Sequence, residues 1–292
     1  MPLLSPELLR RLEQLTLTSR RITAGTVQGE RRSKKRGQSA DFADYRNYVP
    51  GDDTRFLDWK LYGRLDKLFI KRFLEEEDLR LHILVDTSSS MNFGDPDKQR
   101  YAFQMAAALG YLALARQDQV SVIPFSEGLA QQWGPKRGKA HAPRLFNFLE
   151  NLPTEGGTQL DRALRQFSLG TRGKGLVVVI SDFYDFNGFE QPLRQLFARN
   201  FEVIGVQVLS PQELDPEYEG DLKLVDQELP HLTTDISMGP RTLHQYKQTL
   251  DAFTGDLRDY LTRRGGTYLA APTSIDCDRL ILRILRNQGV VR

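Results

Sequence analysis

Cysteine is nearly absent: Cys277 stands alone among 292 residues, so no intrachain disulfide can form. That usage fits a reducing cytosolic compartment better than a secreted one, and Cys277 reads as a small buried hydrophobe. Histidine is scarce too, and His82, His141, His231 and His244 show no paired spacing of the kind a zinc site needs. Long apolar runs are missing. The longest, 105–115, falls well short of the roughly 20 residues a membrane-spanning helix requires, and the opening MPLLSPELLRRLEQL puts charges behind its leucines. Neither a signal peptide nor a span is expected. GTRGKG and GPKRGKA lack the full phosphate-loop pattern, which argues against ATP binding by this chain.

What is present is ordinary for a folded protein. Hydrophobic residues make up 40% and charged residues 27%, which excludes collagen-like, disulfide-scaffold and wholly disordered classes. The length suits about two domains. A net charge of +2 conceals a strong asymmetry: 20–36 carries seven Lys/Arg and one Glu, whereas 211–241 carries eight Asp/Glu and two Lys/Arg. Such segments are either solvated loops or partner-facing surfaces, and opposite signs allow them to dock on each other, within one chain or between two. The basic stretch has no interleaved aromatics and the whole chain is near neutral, which disfavours nucleic acid as a partner.

The spacing of Leu8, Leu9, Leu12, Leu15 and Leu17 predicts a short amphipathic helix over 6–17, with Ser5 as cap and Pro6 at its first position. From 18 to 38 the composition is too polar to offset the entropy of ordering, so a mobile arm is expected. Aromatic and apolar residues crowd around Pro50-Gly51-Asp52-Asp53, a type II turn signal, predicting a small packed unit over 41–73 with a strand at 68–73. Here Asp52, Asp53, Arg55, Asp58, Trp59 and Lys60 form either a docking face or a turn in which the charges pair and Trp59 packs. Thereafter short apolar runs predict strands at 80–86, 119–125, 176–181, 201–209 and 267–270. Helices are expected near 141–151, 159–167, 189–198, 242–263 and 276–287. The clearest helix has Asp95 as cap, Pro96 first, and a stripe of Ala102, Met105, Ala106, Leu109, Leu112 and Ala113. Alternating strands and helices predict an α/β fold with a doubly wound, mostly parallel sheet. The expected division is 1–78, holding the helix, arm and β-containing unit, and 79–292, the sheet domain with an acidic insertion at 211–241 whose DLKLVD and LTTDIS pieces pair as a hairpin.

In such a sheet, ligands bind outside the carboxyl ends of the strands. The 80–86 strand ends in Asp86-Thr87-Ser88-Ser89-Ser90, which presents a carboxylate and two hydroxyls as D-x-S-x-S. A haloacid-dehalogenase-type phosphatase needs a second carboxylate where Ser88 stands, and a dinucleotide site needs glycines. The 176–181 strand leads into Asp182, and Gly156-Gly157-Thr158 opens the preceding helix. Asp86, Ser88, Ser90, Thr158 and Asp182 thus form a hard-oxygen set suited to Mg²⁺, with Mn²⁺ as an alternative, that leaves a coordination position for an outside carboxylate. The bland reading of Asp86, Ser88 and Ser90 is a capped turn. Asp182 has a second reading as an acceptor that orders a metal-bound water, and Thr158 a second reading as a helix cap.

With GGT and SDF following in order, D-x-S-x-S at Asp86, Ser88 and Ser90 resembles the metal-ion-dependent adhesion site of von Willebrand factor A-like domains, and the strand and helix order over 79–292 is similar to that fold. A second resemblance lies upstream. Tyr45-Arg46-Asn47-Tyr48-Val49-Pro50-Gly51-Asp52-Asp53-Thr54-Arg55, Leu57-Asp58-Trp59-Lys60-Leu61-Tyr62 and Ile70-Lys71-Arg72-Phe73 look like the signature of an uncharacterised bacterial family that joins this segment to such a domain and is commonly encoded beside MoxR-type AAA+ ATPases. Together the resemblances imply a cytoplasmic, non-enzymatic accessory or adaptor of a MoxR-type ATPase or its client, binding through Mg²⁺. The alternatives are a metal-dependent hydrolase, for which no general base beyond Asp182 is evident, and a metal-free scaffold.

Overall fold

The computed structural model describes residues 3–13, 42–73, 79–217, 220–228 and 231–281. The expected basic arm at 20–36 lies outside the described residues, as do the predicted helix beyond 13 and the last turns of the one expected at 276–287. The chain divides into two compact units: 20–78, and 79–292 together with 1–19.

In the smaller unit, β1 (Phe42–Asn47) pairs antiparallel with β2 (Phe69–Phe73). Between them, the Val49 carbonyl accepts from the Asp52 amide at 3.0 Å across Pro50-Gly51, and Gly51 takes φ +106°, the left-handed position that a type II turn reserves for glycine. Helix α2 (Trp59–Leu65) starts at Asp58, whose Oδ1 accepts from the amides of Lys60 and Leu61 at 3.0 and 3.1 Å and whose Oδ2 accepts from the Tyr45 hydroxyl at 2.9 Å. The charges pair locally, with Arg55 on Asp53 and Arg46 on Asp52. Of the two readings of this segment, the one in which Trp59 packs is not met: it is 64% exposed, with its ring at the edge of Tyr62.

The larger unit holds a six-stranded sheet of β3 (Arg80–Asp86), β4 (Gln119–Phe125), β5 (Trp133–Arg137), β6 (Leu176–Ser181), β7 (Glu202–Leu209) and β10 (Thr267–Pro272). The strand order is β10-β7-β6-β3-β4-β5, and all pairs are parallel except β4 with β5. The expected mostly parallel α/β sheet is therefore what forms. Strands β6 and β7 are buried along their whole length, as required when helices cover both faces.

Helix α3 (Lys98–Ala115) lies across one face, and its side chains from Tyr101 to Leu114 are buried almost without a polar stripe. It starts later than the sequence suggested. Asp97, not Asp95, accepts the Arg100 amide at 3.1 Å, because the Asp95 backbone is bonded at both its amide and its carbonyl to the Gln212 side chain. Helix α1 (Pro6–Leu12), capped by Ser5, buries Leu8 and Leu12, and Glu13 just beyond it accepts from the Tyr111 hydroxyl on α3 at 2.5 Å. Helix α4 (Ala142–Glu150) packs on α3.

The opposite face is covered by α5 (Leu160–Gly170), α6 (Glu190–Ala198) and α8 (Pro240–Arg263). Their Leu164, Phe167, Leu193, Leu196, Leu257 and Leu261 join Leu84, Val177, Val179 and Val203 of the sheet in one core. Gly205 permits the close approach of α8: a Cβ there would stand 2.6 Å from Leu261 Cδ1. After β7 come a short helix, α7 (Pro211–Leu214), and the expected hairpin, β8 (Gly220–Val225) with β9 (Thr233–Met238). Last is α9 (Cys277–Arg279).

Candidate functional site

Strand β3 lies between β4 and β6. The chain leaves β3 toward β4 and later leaves β6 toward β7, so the connections diverge at the β3/β6 boundary and open a crevice at their carboxyl ends. Asp86 ends β3 and Ser181 ends β6. Both are fully buried, and the Ser181 hydroxyl donates to Asp86 Oδ2 at 2.5 Å. Asp86 Oδ1 accepts the Ser88 amide at 2.9 Å, which closes the turn, and the Ser88 hydroxyl lies 3.0 Å from that of Ser90. Burial, and then the neighbouring Asp182 charge, push the Asp86 carboxyl up to about 7 against the opposing bonds from Ser181 and Ser88.

The next loop is stitched alongside. Glu155 donates its amide to the Thr87 carbonyl and Ser89 donates its own to the Gly156 carbonyl, both at 2.9 Å. This holds 155–158 against the D-x-S-x-S turn. Thr158 is buried, and its polar groups are taken by a residue distant in sequence: its amide donates to Glu228 Oε2 at 2.8 Å and its hydroxyl to Glu228 Oε1 at 2.6 Å.

Asp182 is also fully buried and also engaged. Its Oδ1 accepts the Tyr184 amide at 3.0 Å, and its Oδ2 pairs with the Lys98 ammonium at 2.9 Å. Lys98, only 1% exposed, reaches Glu213 Oε1 as well, at 2.7 Å. Burial alone would lower the Lys98 value, but the two carboxylates outweigh it and hold the ammonium above its ordinary range. Glu213 is fixed in turn by the capping box with Ser210, accepting that residue's amide at 2.7 Å. Between these groups the backbone bends at Phe183, whose φ of +63° is a strained value for a bulky residue and is held by its amide donating to the Ser181 hydroxyl at 2.8 Å.

All five residues singled out in the sequence thus lie at the carboxyl edge of the sheet. Asp86, Ser88 and Ser90 are directly linked, Thr158 is on the adjoining loop with Glu228, and Asp182 neighbours Asp86 with Lys98 on its Oδ2. Sequence reasoning missed Ser181, Lys98, Glu213 and Glu228. Ser181 was adjacent to a chosen residue, whereas Lys98, at the polar start of α3 beside Gln99 and Arg100, carried no signal of its own. Among the described residues no group of three or more His, Cys, Asp or Glu side chains is placed to hold a metal. The donor set that would fit a hard divalent ion is the mixed one of carboxylate and hydroxyl oxygens on Asp86, Ser88 and Ser90, extended by Thr158.

Uncharacterised proteins of Mycobacterium tuberculosis (strain ATCC 25618 / H37Rv) and Mycobacterium bovis are each 26% identical over 289 residues, covering 97% of this chain and 90% of their own length. Among solved structures, an aerotolerance-related membrane protein from Bacteroides fragilis is similar with a TM-score of 0.47 and 15% identity, over 72% of this chain and 98% of that one. The conserved hypothetical protein BatB from Bacteroides thetaiotaomicron gives 0.45 and 14% over the same shares. The SpRpn10 VWA domain gives 0.40 and 10%, over 70% and 94%. Among the described residues no helix is long and apolar enough to cross a membrane. A family model matches residues 44–250, well over half of the sequence, and the chain therefore belongs to the family described as protein of unknown function DUF58.

Proposed function

We propose that this chain is a protein-interaction module whose site at the β3/β6 edge takes Mg²⁺ or Mn²⁺ and, through it, a carboxylate from a partner protein. The carrying observation is the linked turn of Asp86, Ser88 and Ser90 at the topological switch point, braced against the Thr158 loop. Asp86, Ser88, Ser90 and Thr158 would hold the ion, with Asp182 behind them. The bound ion would supply a positive seat under-neutralised by hydroxyl ligands, and so attractive to an acidic side chain. The chain's own residues do the positioning: Ser181 orients the Asp86 carboxylate, and Lys98 fixes Asp182. By resemblance of 45–73 to a family encoded beside MoxR-type AAA+ ATPases, the proposed partner is such an ATPase or its client, with this chain as adaptor rather than enzyme.

A second reading, a metal-free scaffold, is favoured by one feature: Lys98 already supplies Asp182 with a cation. Thermal unfolding of the full chain separates the two. The first reading expects Mg²⁺ at about 100 times its dissociation constant to add roughly 2.7 kcal/mol over EDTA, and expects Asp86→Ala to abolish that gain. Absence of any shift across the Mg²⁺ and Mn²⁺ ranges would establish the scaffold instead.

A further inference from the structure

The acidic hairpin is out of character with the rest of the larger unit. Strands β8 and β9 are exposed along most of both faces, yet the turn at 226–228 that follows β8 reaches the site. The Asp226 amide donates to the Leu232 carbonyl at 3.1 Å, and Asp226 Oδ1 accepts the Glu228 amide at 2.8 Å, which aims the Glu228 side chain out of the turn. Its carboxylate is held by both polar groups of Thr158 at once. Gly157 leaves room for this, since a Cβ there would stand 3.3 Å from Glu228 Oε2. Among the described residues Glu228 has no cationic partner, so a charged group has been brought 70 residues along the sequence to uncharged donors. Those donors sit on the loop whose Gly156 carbonyl binds the Ser89 amide, within the D-x-S-x-S turn.

We infer that Glu228 is the chain's own occupant of the place a partner carboxylate takes, so that the turn at 226–228 following β8 closes the site and must be displaced by an acidic side chain for binding. The inference rests on the reading of the site as a divalent-cation seat and names both its ligand class and its regulation. A tethered carboxylate competes at an effective concentration in the millimolar range. An isolated external carboxylate therefore loses to it, and an acidic segment wins only with further contacts of its own. The turn acts as a selectivity filter against free carboxylic acids.

The test uses Mn²⁺ bound to the full chain, read by water-proton relaxation, with acetate as the minimal external carboxylate. Wild type is compared with Glu228→Ala, with Glu228→Gln as a size-conserving second variant and Asp86→Ala as the site control. The expected result is that both Glu228 variants gain a rapidly exchanging water on Mn²⁺, and that acetate removes this gain at concentrations at least tenfold below those that affect wild type. Equal hydration and equal acetate response in wild type and both variants, with Mn²⁺ bound and lost in Asp86→Ala, would overturn this inference and leave the cation seat standing. Failure of Mn²⁺ to bind, or binding unaffected by Asp86→Ala, would overturn the cation seat and this inference with it.

Discussion

Replacing Lys98 by methionine tests the electrostatic architecture behind the site. The ammonium is 1% exposed and bridges Asp182, 0% exposed, at 2.9 Å and Glu213, 12% exposed, at 2.7 Å, with the rings of Phe93 and Tyr184 at 5.8 and 5.7 Å. Methionine keeps most of the stem's volume, so the change removes charge with little cavity formation. What remains is the Asp182 carboxylate, sealed from water beside Asp86 with no counter-ion. Breaking a buried pair from one side costs about 3–5 kcal/mol. At roughly 2–4 °C per kcal/mol for a unit of this size, the melting temperature should fall by about 6–20 °C. Urea unfolding in EDTA, to exclude any divalent ion, gives the free energy directly. The triple change Lys98→Met, Asp182→Asn, Glu213→Gln should recover most of the loss, because no ion is then left unpaired. A Lys98→Met chain within about 1 kcal/mol of wild type would refute the reasoning, as would a triple variant no more stable than the single one.

Two further outcomes follow from neighbouring groups. Burial, and then the Arg80 charge, hold the His82 imidazole down to about 4 from its ordinary 6.5. The unfolded chain therefore takes up a proton that the folded one refuses. The contribution of His82 is complete above about pH 6.5 and is lost as pH falls toward 4, by about 3 kcal/mol. His82→Leu should flatten that part of the stability-against-pH curve, and an unchanged slope would count against it. Ser181→Ala removes the donor to Asp86 Oδ2 and the acceptor for the Phe183 amide; it should cost about 1–3 kcal/mol in denaturant titrations at constant m, and a neutral result would show that the bond to Asp86 contributes nothing.

The elements legible in the sequence were those whose signal is local. Runs such as LVVVIS at β6 and EVIGVQVL at β7 announced strands covered on both faces, and D-x-S-x-S after β3 announced a turn rich in hard oxygens. Elements whose stability comes from elsewhere were not legible. Strand β5 contains Gly134 and Pro135 and reads as a loop; it is a strand only because β4 offers it a free edge, where a missing amide is tolerated. Helix α2 is seven residues long with Gly63 inside it, too short for periodicity to announce it, and is started by the Asp58 cap. The cap of α3 shifted from Asp95 to Asp97 because Gln212, 117 residues away, claims the Asp95 backbone.

Sequence alone determined the alternation of strand and helix, and hence the edge at which Asp86, Ser88, Ser90, Thr158 and Asp182 gather, because hydrophobic periodicity and chain-order rules act over short distances. Tertiary structure decided which charge answers which. Lys98 meets Asp182 across 84 residues and Thr158 meets Glu228 across 70, and a pairing at that separation leaves no trace in local composition. Only the folding of the sheet, which brings the carboxyl ends of β3, β6 and β7 to one side, puts those side chains within reach of one another.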